Sequence, residues 1–179
     1  VYGQDQGDKS TFPYSVQQHR YKVHELRGMG RHSPCSILHP VLVESIHYQY
    51  ERFPQDPRCT HTINLNWDAY GYLTHHLEIS YARRTTTVDA CPFTDPWEKK
   101  WWVDAHDEDQ QFFYITEHKA QFIHINTVQS RRLGLPYLKR TNALKLPKAP
   151  LAEGLEPSAI NHEACLLYTS DAADDGESV

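Results

Sequence analysis

The chain has 179 residues, enough for one domain with its own core. Its hydrophobic fraction, 39%, is low for a compact domain, yet aromatic residues reach 12%, a composition suited to broad sheets with one wet face. A formal charge of −5 gives no electrostatic case for nucleic acid, and no apolar run approaches the roughly 18 residues that a membrane helix needs.

Residues 1–12 are polar and Gly-rich and are expected to form a loop or frayed edge. The first residue is Val1 rather than Met, so a leader peptide is expected ahead of it. Arg20–Leu26 reads as a strand, broken by Gly28, Gly30 and Pro34. Ile37–Val43 leads onward, with Pro40 at an edge or bend.

The clearest pattern lies in residues 40–84. From Val43 to Arg52, Ile46, Tyr48 and Tyr50 fall on one face, with Ser45, His47 and Gln49 on the other. Pro54 and Pro57 then remove two backbone donors, so the ladder stops. From His61 to Trp67, Ile63, Leu65 and Trp67 oppose Thr62, Asn64 and Asn66. Asp68-Ala69-Tyr70-Gly71 has the residues of a hairpin turn, an Asp to bond amides ahead of it and a Gly for the left-handed position. From Tyr72 to Ala82, Leu73, Leu77, Ile79 and Tyr81 oppose Thr74, His76, Glu78 and Ser80. The direct reading is a three-stranded antiparallel meander.

Residues 85–109 hold Cys91-Pro92, Asp95-Pro96, a Trp101-Trp102 pair and the acidic run Asp104–Asp109. An irregular connection is expected, its tryptophans anchoring it on the sheet. Gln111–Thr116 and Gln121–Val128 read as a hairpin turning near Glu117-His118-Lys119. Gly134 and Pro136 mark a break before a last strand, Tyr137–Leu146. Residues 147–164 hold three prolines and read as a linker or truncated continuation. No helix is signalled, and six or seven mostly sequential antiparallel strands make the expected fold class all-β.

Candidate chemistry is sparse. His75 and His76 are adjacent, hence on opposite faces of a strand, and cannot share an ion. His61 and Cys59 could join one of them in a zinc site, but no ligand pair has recognisable metal spacing. The acidic run lacks the spacing of a calcium loop. Glu44 and Glu51 lie on opposite faces and roughly 20 Å or more apart at a rise of about 3.3 Å per residue, too far for a glycosidase pair. Ser45 and His47 point the same way, but nothing supplies an oxyanion hole. Nucleophile elbow, P-loop and dinucleotide fingerprint are missing. No catalytic, cofactor-binding or metal-binding residue is therefore expected, and the chain is read as a non-enzyme.

The long block resembles the middle-to-C-terminal region of the B component of bacterial insecticidal toxin complexes (TcB, the TcdB/TcaC group), which shares sequence with SpvB virulence proteins. The matching positions are Glu44, Ser45, Tyr48, Tyr50, Glu51 and Arg52, then Pro54, Asp56, Pro57, Arg58 and His61. Asp68, Tyr70 and Gly71 follow, then Tyr81, Arg83 and Arg84. Pro13–Val16, Thr116-Glu117, Arg132–Pro136 and Arg140-Thr141 also fit. The family's glutamate after Leu-Pro is replaced by Tyr137-Leu138, and the 85–109 loop does not align. The likeness spans about residues 13–147. It implies a fragment of a larger RHS-type β-shell, a wall that encloses the cytotoxic part of component C and delivers it through the component A channel. It also implies a secreted bacterial toxin, with no membrane span and no nucleic-acid partner. The alternative is an all-β module binding carbohydrate or protein through exposed aromatics such as Trp101 and Trp102.

Residues 165–179 resemble the translation of a transposon-end sequencing adapter and are expected to be foreign to the fold and disordered. They hold four acids and no base, so residues 1–164 carry 18 basic against 19 acidic residues. Three cysteines then remain, Cys35, Cys59 and Cys91, an odd set with no disulfide framework.

Overall fold

The structure is a computed structural model that describes residues 12–30, 34–50, 55–86, 90–148, 160, 162, 163 and 165. Its strands are β1 (Ser15–Arg27), β2 (Ile37–Gln49), β3 (Arg58–Trp67), β4 (Leu73–Ser80), β5 (Phe112–Asn126) and β6 (Arg131–Pro147). They form one six-stranded sheet in the order β1-β2-β3-β4-β5-β6. Every neighbouring pair is antiparallel. This is the expected all-β meander, with each strand beside its sequence neighbour.

Alternation sets the core. Along β3, Cys59, His61, Ile63 and Leu65 are buried while the residues between them are not. Ile63, Leu65 and Ile79 form the central cluster, with Leu77, Tyr81, Ile115, Ile160 and Cys165 packed against it. Ile46, His61, Ile79, Ile115 and Leu144 are opposite one another across β2 to β6, so they share this core face. His47, Thr60, Ser80, Tyr114 and Lys145 make the neighbouring row on the opposite, more polar face.

The strands differ in extent from the expected ones. β2 runs straight through Pro40, which pairs with Val23. β3 pairs with β2 only from Glu44 to Gln49, so Pro40 lies where β2 has a single neighbour and needs to donate on one side only. Where the ladder opens, the Asn64 side-chain amide donates to the Leu42 carbonyl at 2.8 Å. A register shift between Arg20 and Tyr21 skips Val43, and both Val41 and Val43 become buried. The end of the first expected strand, Glu51 and Arg52, lies outside the described residues.

No turn occurs at Glu117-His118-Lys119. β5 is one strand of 15 residues, paired to β4 through those positions and to β6 along its length. The reversal comes later, where the Thr127 amide donates to the Ser130 carbonyl and the Ser130 amide donates to the Thr127 hydroxyl. Likewise β6 does not break at Gly134 and Pro136; it absorbs them as register shifts. Gly134 takes φ +73° there, a conformation in which glycine alone is unstrained.

The 85–109 connection holds a helix, α1 (Pro96–Asp104), contrary to the expectation of none. Asp95 caps it, accepting from the amides of Trp97 and Glu98. Pro96 opens its first turn, where a missing N–H costs nothing. The Asp-Pro pair read as a loop signal is in fact a helix start. A short 3₁₀ turn, Glu108–Gln111, returns the chain to β5.

Candidate functional site

The sheet's chemistry lies in four polar networks, two built by cross-strand register and two that fix loops and turns to the strands. On the core face, Glu44 of β2 and His61 of β3 are nearly sealed from solvent. Glu44 Oε1 accepts from His61 Nε2 at 2.9 Å. Its other oxygen pairs with the Arg20 guanidinium from β1. The His61 Nδ1 then accepts the Tyr81 hydroxyl at 3.1 Å. Burial favours the neutral imidazole, and the pKa of His61 is lowered although Glu44 pulls the other way. Burial likewise pushes the Tyr81 hydroxyl up, so it remains a donor.

Two strands along, His75 Nε2 donates to Glu117 Oε1 at 2.9 Å. Asn142 of β6 donates to the other oxygen at 2.7 Å, and Lys119 adds an ion pair. Burial opposes ionisation of Glu117, but its bonds from Lys119, Asn142 and His75 hold it down at about 2.

Two further networks fix the loops. Asp56 is buried before β3 and accepts from the Arg83 guanidinium at 2.9 Å, the Arg84 amide at 2.7 Å and the Thr85 hydroxyl. Burial would raise its pKa, yet these donors hold it below the ordinary value. At the β3–β4 turn, Asp68 accepts from the amides of Tyr70 and Tyr72 and from His124 Nε2 at 2.8 Å. His124 Nδ1 in turn accepts the Gly134 amide at 3.1 Å, tying the turn to β6.

Several residues weighed in sequence are separated by the fold. His75 faces the core side with Glu117, while His76 pairs with Asn64 and His118 on the polar side. His61 lies opposite Ile79 rather than either of them, so His61, Cys59 and a β4 histidine do not converge. His76, Glu78 and His118 do: one potential ligand atom from each lies within 4.8 Å of the others. Sequence spacing could not show this, because 42 positions separate His76 from His118 and only the β4–β5 register joins them. Ser45 and His47 stand opposite Thr62 and Thr60. In the acidic run, Asp107 and Asp109 serve as a turn cap and a Lys145 partner. Trp102 packs on Phe93 and His106, whereas Trp97 and Trp101 are largely exposed, so the tryptophans do not jointly anchor the loop. Trp101 and Trp102 line an open groove of about 1060 Å³ with Tyr50, Arg58 and Arg83.

These networks carry structural chemistry: salt-bridged, fully partnered side chains that fix strand to strand. Both outer strands, β1 and β6, have one edge with no strand beside it among the described residues. A wide meander with two unlike faces and bare edges defines a segment of an extended β assembly. The chain belongs to the family described as the insecticide toxin TcdB middle/C-terminal region, whose profile matches residues 1–135. It superposes on the crystal structure of TcdB2–TccC3–Cdc42 with a TM-score of 0.75 at 27% identity. The crystal structure of TcdB2–TccC3 gives 0.74 at 28%. The Photorhabdus luminescens Tc holotoxin pore gives 0.75 at 28%. In each case 90% of this chain matches only 7% of the solved chain, so it spans a small part of those proteins. No curated protein sequence matches it.

Several positions that carried the family resemblance are one another's partners. Glu44 meets His61, which meets Tyr81. Asp56 meets Arg83 and Arg84.

Proposed function

We propose that this segment is a wall element of the hollow β-shell of a secreted toxin-complex B component. In that role it encloses the cytotoxic part of component C, for delivery through the component A channel. The observation that carries the proposal is the bare-edged six-stranded meander, superposable at a TM-score of 0.75 on chains solved in complex with TccC3. Adjacent stretches of the longer protein would continue the sheet at β1 and β6, removing edges that otherwise template aggregation. The partnered networks act as rivets between strands, and no catalytic step is assigned to them. Residues 13–147 form the wall unit, and 148–164 lead onward, although Ile160 and Cys165 pack back against the core cluster and Glu163 pairs with Arg20; 165–179 are read as adapter-derived on sequence alone.

Protease protection tests this role. The full-length B component is co-expressed with component C, and the cytotoxic part of C is probed with protease. Proline substitutions at His19 and Tyr21 of β1 are expected to open the wall and expose the cargo. Full protection in a B component lacking residues 13–147 would sink the proposal. The uninterrupted gene sequence separately tests the assignment of residues 165–179.

A further inference from the structure

The three-residue cluster on the polar face has no part in the wall role described above. We propose that His76, Glu78 and His118 form a site for a divalent transition-metal ion of the zinc class, bridging β4 and β5. This departs from the expectation, drawn from spacing, that the chain holds no metal ligands.

Register creates the site. His76 and His118 are directly opposite on neighbouring strands, and Glu78 follows His76 by two residues on the same face. The two imidazole rings lie nearly parallel, 4.5 Å between centroids and 16° between planes. Glu78 reaches toward both: Oε1 is 3.8 Å from His76 Nε2, and Oε2 is 3.8 Å from His118 Nε2. Those distances exceed hydrogen-bond length, so both nitrogens face the carboxylate without bonding it. Tetrahedral zinc, with bonds of about 2.0–2.2 Å, spaces its ligand atoms at roughly 3.3–3.5 Å. Closing the site therefore asks for a few tenths of an ångström from Glu78 and for the two stacked imidazoles, whose ligand atoms lie within 4.8 Å, to tilt toward a common point. Glu78, whose side chain is 58% exposed, can make its part by rotation.

One ligand is already oriented. His118 Nδ1 lies 3.2 Å from the Thr141 hydroxyl of β6. With Nδ1–H donating to Thr141, Nε2 presents its lone pair to the ion, the arrangement by which a neighbouring acceptor sets a ligand histidine. Lys139 of β6 lies within electrostatic reach of His76. Two imidazoles and one carboxylate suit Zn²⁺, Co²⁺, Ni²⁺ or Cu²⁺, not Ca²⁺ or Mg²⁺, which need a shell of oxygens. Three protein ligands leave a fourth position for water or a group from another chain. Lys139 opposes the ion's charge and sets a limit on affinity.

The test is equilibrium dialysis of the full-length B component, in which neighbouring segments complete the sheet, against Co²⁺ and Zn²⁺, wild type beside each variant, with Co²⁺ absorption reporting geometry. One equivalent is expected, with tetrahedral-type Co²⁺ bands that Zn²⁺ bleaches. His76→Ala and His118→Ala should each weaken binding at least about tenfold, and Thr141→Val by about ten- to a hundredfold with all three ligands kept. Lys139→Gln should tighten binding several-fold, which a purely structural role would not do. His19→Ala, away from the site, should leave it unchanged. Less than a tenth of an equivalent bound, or binding unchanged in the His76→Ala/His118→Ala double variant, overturns the proposal. Should that double variant misfold, unchanged affinity in both Glu78→Gln and Thr141→Val, at exposed positions, overturns it equally.

Discussion

His61 sits on β3 in the row of Ile63 and Leu65, a place where an unpaired imidazole would be costly. It is tolerated because both ring nitrogens are engaged, one by the Glu44 carboxylate and one by the Tyr81 hydroxyl. Glu44→Leu keeps the bulk but strands the buried His61 N–H, and should destabilise the sheet by about 1–3 kcal/mol. Glu44→Gln retains an acceptor and should cost less. Amide hydrogen exchange of β3 in the full-length protein checks the pair, and equal effects would refute the pairing argument. Gly134 is a second sensitive position. Its positive φ is strained for any other residue, and an added Cβ would lie 2.2 Å from the Tyr72 ring. Gly134→Ala should cost more than about 1 kcal/mol, read as faster exchange at the β3–β4 turn and in β6. Wild-type exchange at both places would contradict it.

At the scale of elements, the polar networks make strand pairing depend on pH. Glu117 is held at about 2, below its unfolded value of about 4.3. Its contribution is therefore present above about pH 4.3 and is lost as pH falls through about 2. His75 is also lowered, through burial first, so the unfolded chain takes up a proton that the fold resists. That contribution is intact above about pH 6.5 and fades as pH falls through the depressed folded value. His61 and His76 shift in the same direction. Protection factors across β3–β5, corrected for intrinsic exchange, should fall between pH 7 and pH 5; constant protection would oppose this account. Helix α1 depends on a simpler device. Asp95→Ala removes the acceptor for two first-turn amides and should cost about 1 kcal/mol, confined to residues 96–104.

For the molecule as a whole, the two long outer strands decide behaviour. β1 has 13 residues and β6 has 17, each bare on its outer edge among the described residues. Tyr21, Val23, Tyr137, Leu138 and Leu144 on these strands are mostly exposed. Long edges with exposed apolar side chains template further pairing. Residues 1–164 expressed alone should associate or stay partly unfolded, as judged by light scattering and thermal melting. A monomeric, cooperative melt would contradict the view that neighbouring segments complete the sheet.

Alternation and turn chemistry determined a good part of this in advance. The strand faces of β3 and β4, the Asp68–Gly71 turn and the meander order follow from a period of two and from residues that fit the turn. The family's motif positions were also visible as letters in a row. Three things were settled only by the tertiary structure. Strands β5 and β6 run through Glu117–Lys119 and Gly134–Pro136 because paired neighbours and register shifts override local turn signals. Asp95-Pro96 starts a helix, since the same dipeptide serves a loop or a helix start and only the chain that follows chooses. And which polar residues meet is a matter of register. A one-residue slip between β4 and β5 would put His118 on the wrong face from His76 and Glu117 on the wrong face from His75. Spacing along a chain does not encode that pairing; the buried face of the sheet does.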